Sequence, residues 1–208
     1  MHPSSVFHTD ESIAREIVRR NPLATIAANG EQGPTIAIVP LVWNEDEACL
    51  IGHVGRQNAL WTGLQGQASS VSAVFRSADA YVSASAYPSK AEHGRVVPTW
   101  NYIAAEIRGV LTFKTKLEDI RESVSRLSDQ MEAPRSSPWA VSDAPPSYID
   151  RLANAVVAFE IKVRELKGVR KLSQNKSDAD RVGVVADLKK QNSDAERVAY
   201  EMNLENRA

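Results

Sequence analysis

Runs of β-type residues follow one another along this chain at short intervals, with helical periodicity confined to the edges, and no other feature limits the fold as much. Leu23 to Ala28, Thr35 to Trp43, Ala48 to Val54, Ser70 to Phe75, Ala80 to Ser85 and Ala155 to Leu166 read as strands, and a further run extends from near Trp100 toward Thr115. Turn signals at Asn29-Gly30-Glu31-Gln32-Gly33 and from Asn44 to Glu47 separate the first three, which are expected as an antiparallel meander. No strand-GxGxxG-helix unit is present, so a dinucleotide-binding doubly wound sheet is excluded. The expected class is mainly β with peripheral helices (α+β), an antiparallel closed barrel.

Helical signals frame these strands. Thr9 is a plausible N-cap for a helix carrying Ile13, Ile17 and Val18 on one face and ended by Asn21-Pro22. Asn58 to Gly66 reads as a short helix. From Lys116 the period changes, with Leu117, Ile120, Val124, Leu127 and Met131 at helical spacing, which predicts a helix over one barrel mouth. Pro134 to Pro146 holds four prolines and reads as an excursion, followed by a short helix from Tyr148 to Asn154. Ser177 with Asp180 reads as a capping box opening a helix toward Leu188, and a last polar helix spans Asp194 to about Asn203.

At 208 residues the chain suits one domain with an appendage, and it can bury a core without staples. A net charge of −1 gives no global pull toward nucleic acid or membrane. Cys49 is the single cysteine, which excludes an internal disulfide and a multi-cysteine metal site. No apolar stretch approaches the roughly 20 residues of a membrane helix, and a reducing, cytoplasmic setting is expected.

Between Tyr81 and Gly109 two β-type runs flank a polar irregular crossing, the layout of a binding site. The string Val97-Pro98-Thr99-Trp100-Asn101-Tyr102 after Tyr87-Pro88-Ser89-Lys90-Ala91-Glu92-His93-Gly94 resembles the FMN-binding negative transcriptional regulator family, the PaiB family. Phe7-His8 with Asp10, Arg20 to Thr25, Pro40-Leu41, Gly52 to Asn58 with Trp61, and Gly168 to Lys176 with Asp180-Arg181 follow in that family's order. Two positions depart from it: Ile38 lies where the family usually shows a histidine, and Ala86 where it usually shows a tryptophan.

The resemblance implies an FMN-binding split β-barrel with C-terminal helices, FMN as cofactor, and a homodimer with the flavin at its interface. It divides the chain into a barrel domain over 1–170 and a segment over 171–208, the family's C-terminal signature and a helical tail packed on the barrel or on the dimer partner. DNA is a further partner that the family name implies. A flavin-dependent oxidoreductase, such as an NAD(P)H-dependent reductase, a pyridoxamine-oxidase-like catalyst or a haem-degrading relative, is the competing class, because flavin carries its own redox chemistry.

FMN asks for cationic and N–H donors at its phosphate, hydroxyl partners along its ribityl chain and hydrogen bonds at the ring edge. Gly52-His53-Val54-Gly55-Arg56-Gln57-Asn58 is a turn leading into a helix, and there Arg56 and Asn58 are expected at the phosphate. His53 reads either as a phosphate or ribityl contact or as an ordinary hydrogen-bonding histidine, and no second ligand at metal spacing accompanies it. Ser83 and Ser85 fall two apart, on one strand face suited to ribityl or ring atoms. Trp100 and Tyr102 share a face, with Asn101 opposite, and read either as core or as the border of a flavin. The basic stretch from Lys162 to Lys176 reads as a solvated strand end, as a basic arm reaching a second subunit's FMN through Lys171 and Gln174, or as a patch for DNA. No catalytic residue is assignable.

Overall fold

In the computed structural model, residues 4–30, 33–45 and 47–205 are described. Among these residues eight strands form one antiparallel sheet: β1 (His8–Thr9), β2 (Leu23–Gly30), β3 (Gly33–Pro40), β4 (Val42–Asn44), β5 (Cys49–Gly55), β6 (Ser69–Val82), β7 (Thr99–Lys114) and β8 (Val156–Lys171). Among the described residues seven helices accompany them: α1 (Glu11–Arg20), α2 (Ala59–Gly63), α3 (Ser89–His93), α4 (Leu117–Glu132), α5 (Pro146–Ala153), α6 (Asp178–Leu188) and α7 (Ser193–Glu205). The hydrogen-bonded order is β3-β2-β6-β7-β8-β5-β4, with β1 added to β8. Among the described residues no pairing joins β3 to β4, so the ladder is split where a closed barrel would be sealed.

The expected class therefore holds, with several corrections. The first three strand runs are not a meander. β2 and β3 pair as one hairpin and β4 and β5 as another, at opposite ends of the strand order. Pro40 has no N–H to donate, and the Leu41 N–H bonds the carbonyl of Pro22 at 2.9 Å, the next pair of the β2–β3 register, before the chain passes into β4. The turn expected through Glu31 and Gln32 lies outside the described residues, as does Asp46. The two runs expected around residue 75 are one strand, β6, because the polar residues that resemble a turn sit within it and Arg76 pairs with Asp79 there. The first helix is capped by Asp10 rather than Thr9. Thr9 is spent in β1, whereas Asp10 Oδ1 accepts from the Ile13 N–H at 2.9 Å, and that bond holds the carboxyl below its usual range.

The chain forms two compact units, one of Met1–Ile17, Arg76–Ala105 and Lys167–Ala208, the other of Val18–Phe75 and Glu106–Leu166. The second unit is built on alternation. On β2, Ala24, Ile26 and Ala28 are buried while Leu23, Thr25 and Ala27 are exposed. Leu50, Gly52 and Val54 of β5 form its inner face, and a Cβ on Gly52 would lie 2.8 Å from the Phe159 ring, so only glycine fits. Phe159 meets Phe113 edge-on, and Phe113 meets Trp61 of α2 at 4.8 Å. In the first unit Val184, Leu188, Val198 and Met202 of α6 and α7 are fully covered or nearly so. The capping box expected at α6 is half formed. Ser177 Oγ accepts from the Asp180 N–H, but the Asp180 carboxylate accepts instead from the Ser89 N–H at 3.1 Å and the Ser89 hydroxyl at 2.9 Å. Asp180 thus ties the start of α3 to α6.

Candidate functional site

In the second unit three of the residues expected to bind a cofactor lie close together in the chain, His53 on β5 and Arg56 and Asn58 in the connection to α2. Arg56 follows Gly55, whose Cβ position faces open space, so the backbone there is accessible to a ligand. The Arg56 N–H bonds the carbonyl of Ala155 at 3.0 Å and its Nε donates to the carbonyl of Asn154 at 2.9 Å. The guanidinium lies 5.9 Å from the centre of the Trp61 ring. These contacts orient the guanidinium through Nε and leave the edge bearing Nη1 and Nη2 for other acceptors. Asn58 is the N-cap of α2, its Oδ1 accepting from the Leu60 N–H at 2.9 Å, so only its amide nitrogen remains to donate outward. His53 lies on the opposite face of β5 from Gly52. There Ser123 of α4 packs within 3.4 Å of its Nδ1, and burial pushes its pKa down.

In the first unit the other expected residues are placed as follows. Ser83 and Ser85 are not on a strand. β6 ends at Val82, Ser83 Oγ accepts from the Ser85 N–H at 3.1 Å, and this hydroxyl-to-backbone bond bends the chain into a short 3-10 turn. Ser85 Oγ accepts from Lys90 Nζ. Trp100 is half exposed and meets Tyr81 edge-on at 6.0 Å. Asn101 is fully buried and exchanges hydrogen bonds with the Ser173 hydroxyl, while its amide nitrogen also reaches the Met202 sulfur. Such an amide is a packing element of the unit.

The basic stretch is strand as far as residue 171, because β8 continues to Lys171. Beyond it Ser173 takes a left-handed conformation, φ 64°, and Gln174 stitches the turn. Its Oε1 accepts from the Leu172 N–H at 2.8 Å and its Nε2 donates to the Arg170 carbonyl. Lys171 Nζ donates to Thr99 Oγ1 and to the Trp100 carbonyl, and burial, then the neighbouring Lys176 charge, pushes its pKa down. Lys171 and Lys176 line a pocket of about 360 Å³ with Phe7, Tyr87, Thr99 and Asn175. Tyr87 is 2% exposed, and its hydroxyl is buried without a hydrogen-bond partner among the described residues.

Sequence reading missed a further groove of the second unit, about 490 Å³, where Arg108 and Arg164 stand beside the small residues Ala27, Ser70, Ser72 and Gly109. Glu106 and Glu165 pair with Arg108, and hydrogen bonding to Glu106 raises its pKa. Only the strand order brings these distant residues to one place, so no local motif announces them.

The sequence profile of a family described as "Putative FMN-binding domain" matches residues 1–165. The chain belongs to this FMN-binding domain family. FMN is accordingly its cofactor, and the open backbone at Gly55 together with the anchored guanidinium of Arg56 fits the phosphate end of that group. The chain is 31% identical over 221 residues to the uncharacterized protein AN0679 of Emericella nidulans, covering 88% of each. It is 26% identical over 185 residues to the protease synthase and sporulation protein PAI 2 of Bacillus subtilis, covering 88% of this chain and 86% of that one. The flavocytochrome Anf3 from Azotobacter vinelandii shares the fold, with a TM-score of 0.58 at 13% identity over 88% of this chain and 78% of that one. No helix of the described residues is long and apolar enough to cross a membrane.

Proposed function

We propose that this FMN-binding family member works as a homodimeric flavin protein whose bound FMN performs electron transfer, with Arg56 and Asn58 holding the phosphate. The observation that carries this reading is the Arg56 side chain, pinned by Asn154 at 2.9 Å beside a glycine open to solvent. When bound, the flavin supplies the one- or two-electron chemistry, so the protein needs only to bind, orient and shield it. Support for the dimer comes from the outer face of β2 and β3, where Leu23, Ile36 and Ile38 are 60%, 65% and 68% exposed. The register sets Thr25 opposite Ile38 and Ala27 opposite Ile36, so these residues make one apolar patch, of the kind that marks an association surface. In that dimer Lys171 and Lys176 are assigned to the partner protomer's flavin.

A second reading, control of transcription, draws on α6 and α7, two helices packed together across a short connection at Lys189-Lys190-Gln191-Asn192. Charge weighs against groove binding. The two helices and their connection set Asp178, Asp187, Asp194 and Glu196 against Lys189, Lys190 and Arg197 at the surface, which leaves no net positive charge to attract a phosphate backbone. Mixing the FMN-loaded protein with NADH or NADPH without oxygen separates the readings. Loss of the oxidised flavin absorbance within seconds to minutes is expected, whereas an unreduced flavin in a protein that binds its own promoter fragment in a salt-sensitive way would reverse the order of the two.

A further inference from the structure

A cluster at the β4–β5 turn stands apart from every residue assigned to the flavin. Asn44 of β4 is the cross-strand partner of Cys49 on β5, and β8 sets Glu160 opposite Ile51, one position further along that same face of β5. A carboxylate oxygen of Glu47, the Cys49 sulfur and a carboxylate oxygen of Glu160 all lie within 4.8 Å of one another. That spacing is what a single cation between three ligand atoms requires, because ligand distances near 2.0–2.3 Å put the ligands about twice that far apart at most.

An independent observation points to a missing ligand. Asn44 is 3% exposed, its Oδ1 is buried with no hydrogen-bond partner among the described residues, and it lines the same small pocket, about 90 Å³, as Glu47 and Glu160. An unpaired buried carbonyl oxygen is costly, and a cation relieves it. Asp119 and Glu122 of α4 add negative charge to this pocket. Among the described residues the one ammonium lining it, Lys114, lies 3.1 Å from Glu160, with its side chain 40% exposed and thus able to turn toward water.

We propose that Asn44, Glu47, Cys49 and Glu160 bind a divalent transition cation of the zinc class, through one amide oxygen, two carboxylates and one thiolate. On binding, the Cys49 S–H bond breaks, its proton passes to solvent, and a sulfur–metal bond forms with no change of oxidation state. The cation displaces Lys114 from Glu160. Mixed sulfur and oxygen ligands suit zinc or cobalt better than magnesium or calcium.

Cys49 is the chain's single thiol, which makes the test specific. The full-length flavin-loaded protein is titrated with Co²⁺ and read as a difference spectrum for sulfur-to-cobalt charge-transfer absorption, then with Zn²⁺ as competitor. The expected result is a band that saturates at about one cation per chain and is abolished by zinc, following the ligand count above. Cys49→Ser should remove the band. Glu160→Gln, at a partly exposed site that tolerates an isosteric change, should weaken binding by about tenfold or more. Lys114→Met should strengthen it. A folded protein with no charge-transfer band and no saturable zinc uptake overturns the proposal, and so does zinc uptake that Glu160→Gln leaves unchanged. Neither result bears on the flavin, whose occupancy is read separately from its own absorbance.

Discussion

In the proposed phosphate site, Arg56 is the residue on which cofactor retention is expected to turn. Its Nε bond to Asn154 pre-orients the guanidinium, so the fork meets a phosphate without first losing side-chain freedom. Arg56→Ala should weaken FMN binding by about 2 kcal/mol, roughly thirtyfold, measured as flavin released on dilution of the folded variant. Unchanged retention would remove the phosphate assignment. His53 carries a different signature. Burial depresses its pKa in the folded state, whereas the unfolded chain takes up a proton near 6.5, so stability is complete above that value and drains away as pH falls below it. Urea midpoints at about pH 7.5 and about pH 5.5 should show a larger loss for the native protein than for His53→Gln, whose side chain does not titrate. The turn at Gly55-Arg56 between a strand and a short helix was legible from residue order alone. The burial of His53 against Ser123 was not, since it depends on where α4 packs.

At the level of elements, strands were legible because alternation of apolar and polar residues marks a half-buried sheet wherever it occurs. What alternation cannot tell is the partner. β3 and β4 read as one continuous run, yet Pro40 and Leu41 part them to opposite ends of the strand order, and the single strand β6 reads as two because of Arg76 to Asp79. The same limit applies to Asn101, which the family string marks as a site residue and whose buried contacts with Ser173 and Met202 serve packing. Asn101→Leu should destabilise the protein by about 1–3 kcal/mol, because it strands the Ser173 hydroxyl, while FMN content per folded chain stays the same. Loss of flavin with stability intact would return Asn101 to the site. Ser83 and Ser85 fail as a strand pair for a local reason: a serine hydroxyl that accepts from the backbone two residues on offers the chain a turn in place of a ladder.

For the whole molecule, family membership over residues 1–165 and the split antiparallel sheet were both foreshadowed by the ordered motifs, which span most of the chain. The outward apolar patch was not, because Leu23, Ile36 and Ile38 look like ordinary strand residues until the register turns them outward together. Ile38→Lys places a charge in that patch and should convert the dimer to a monomer with depleted flavin, seen as a later elution volume and a paler protein. A variant that stays dimeric would move the interface elsewhere. The central claim, a homodimer that holds FMN, is tested most directly by gel filtration of the purified protein with a full absorbance spectrum across the peak. The account predicts a yellow species of twice the 22.8 kDa chain mass with one FMN per chain. A colourless monomer that takes up no FMN on incubation would contradict it.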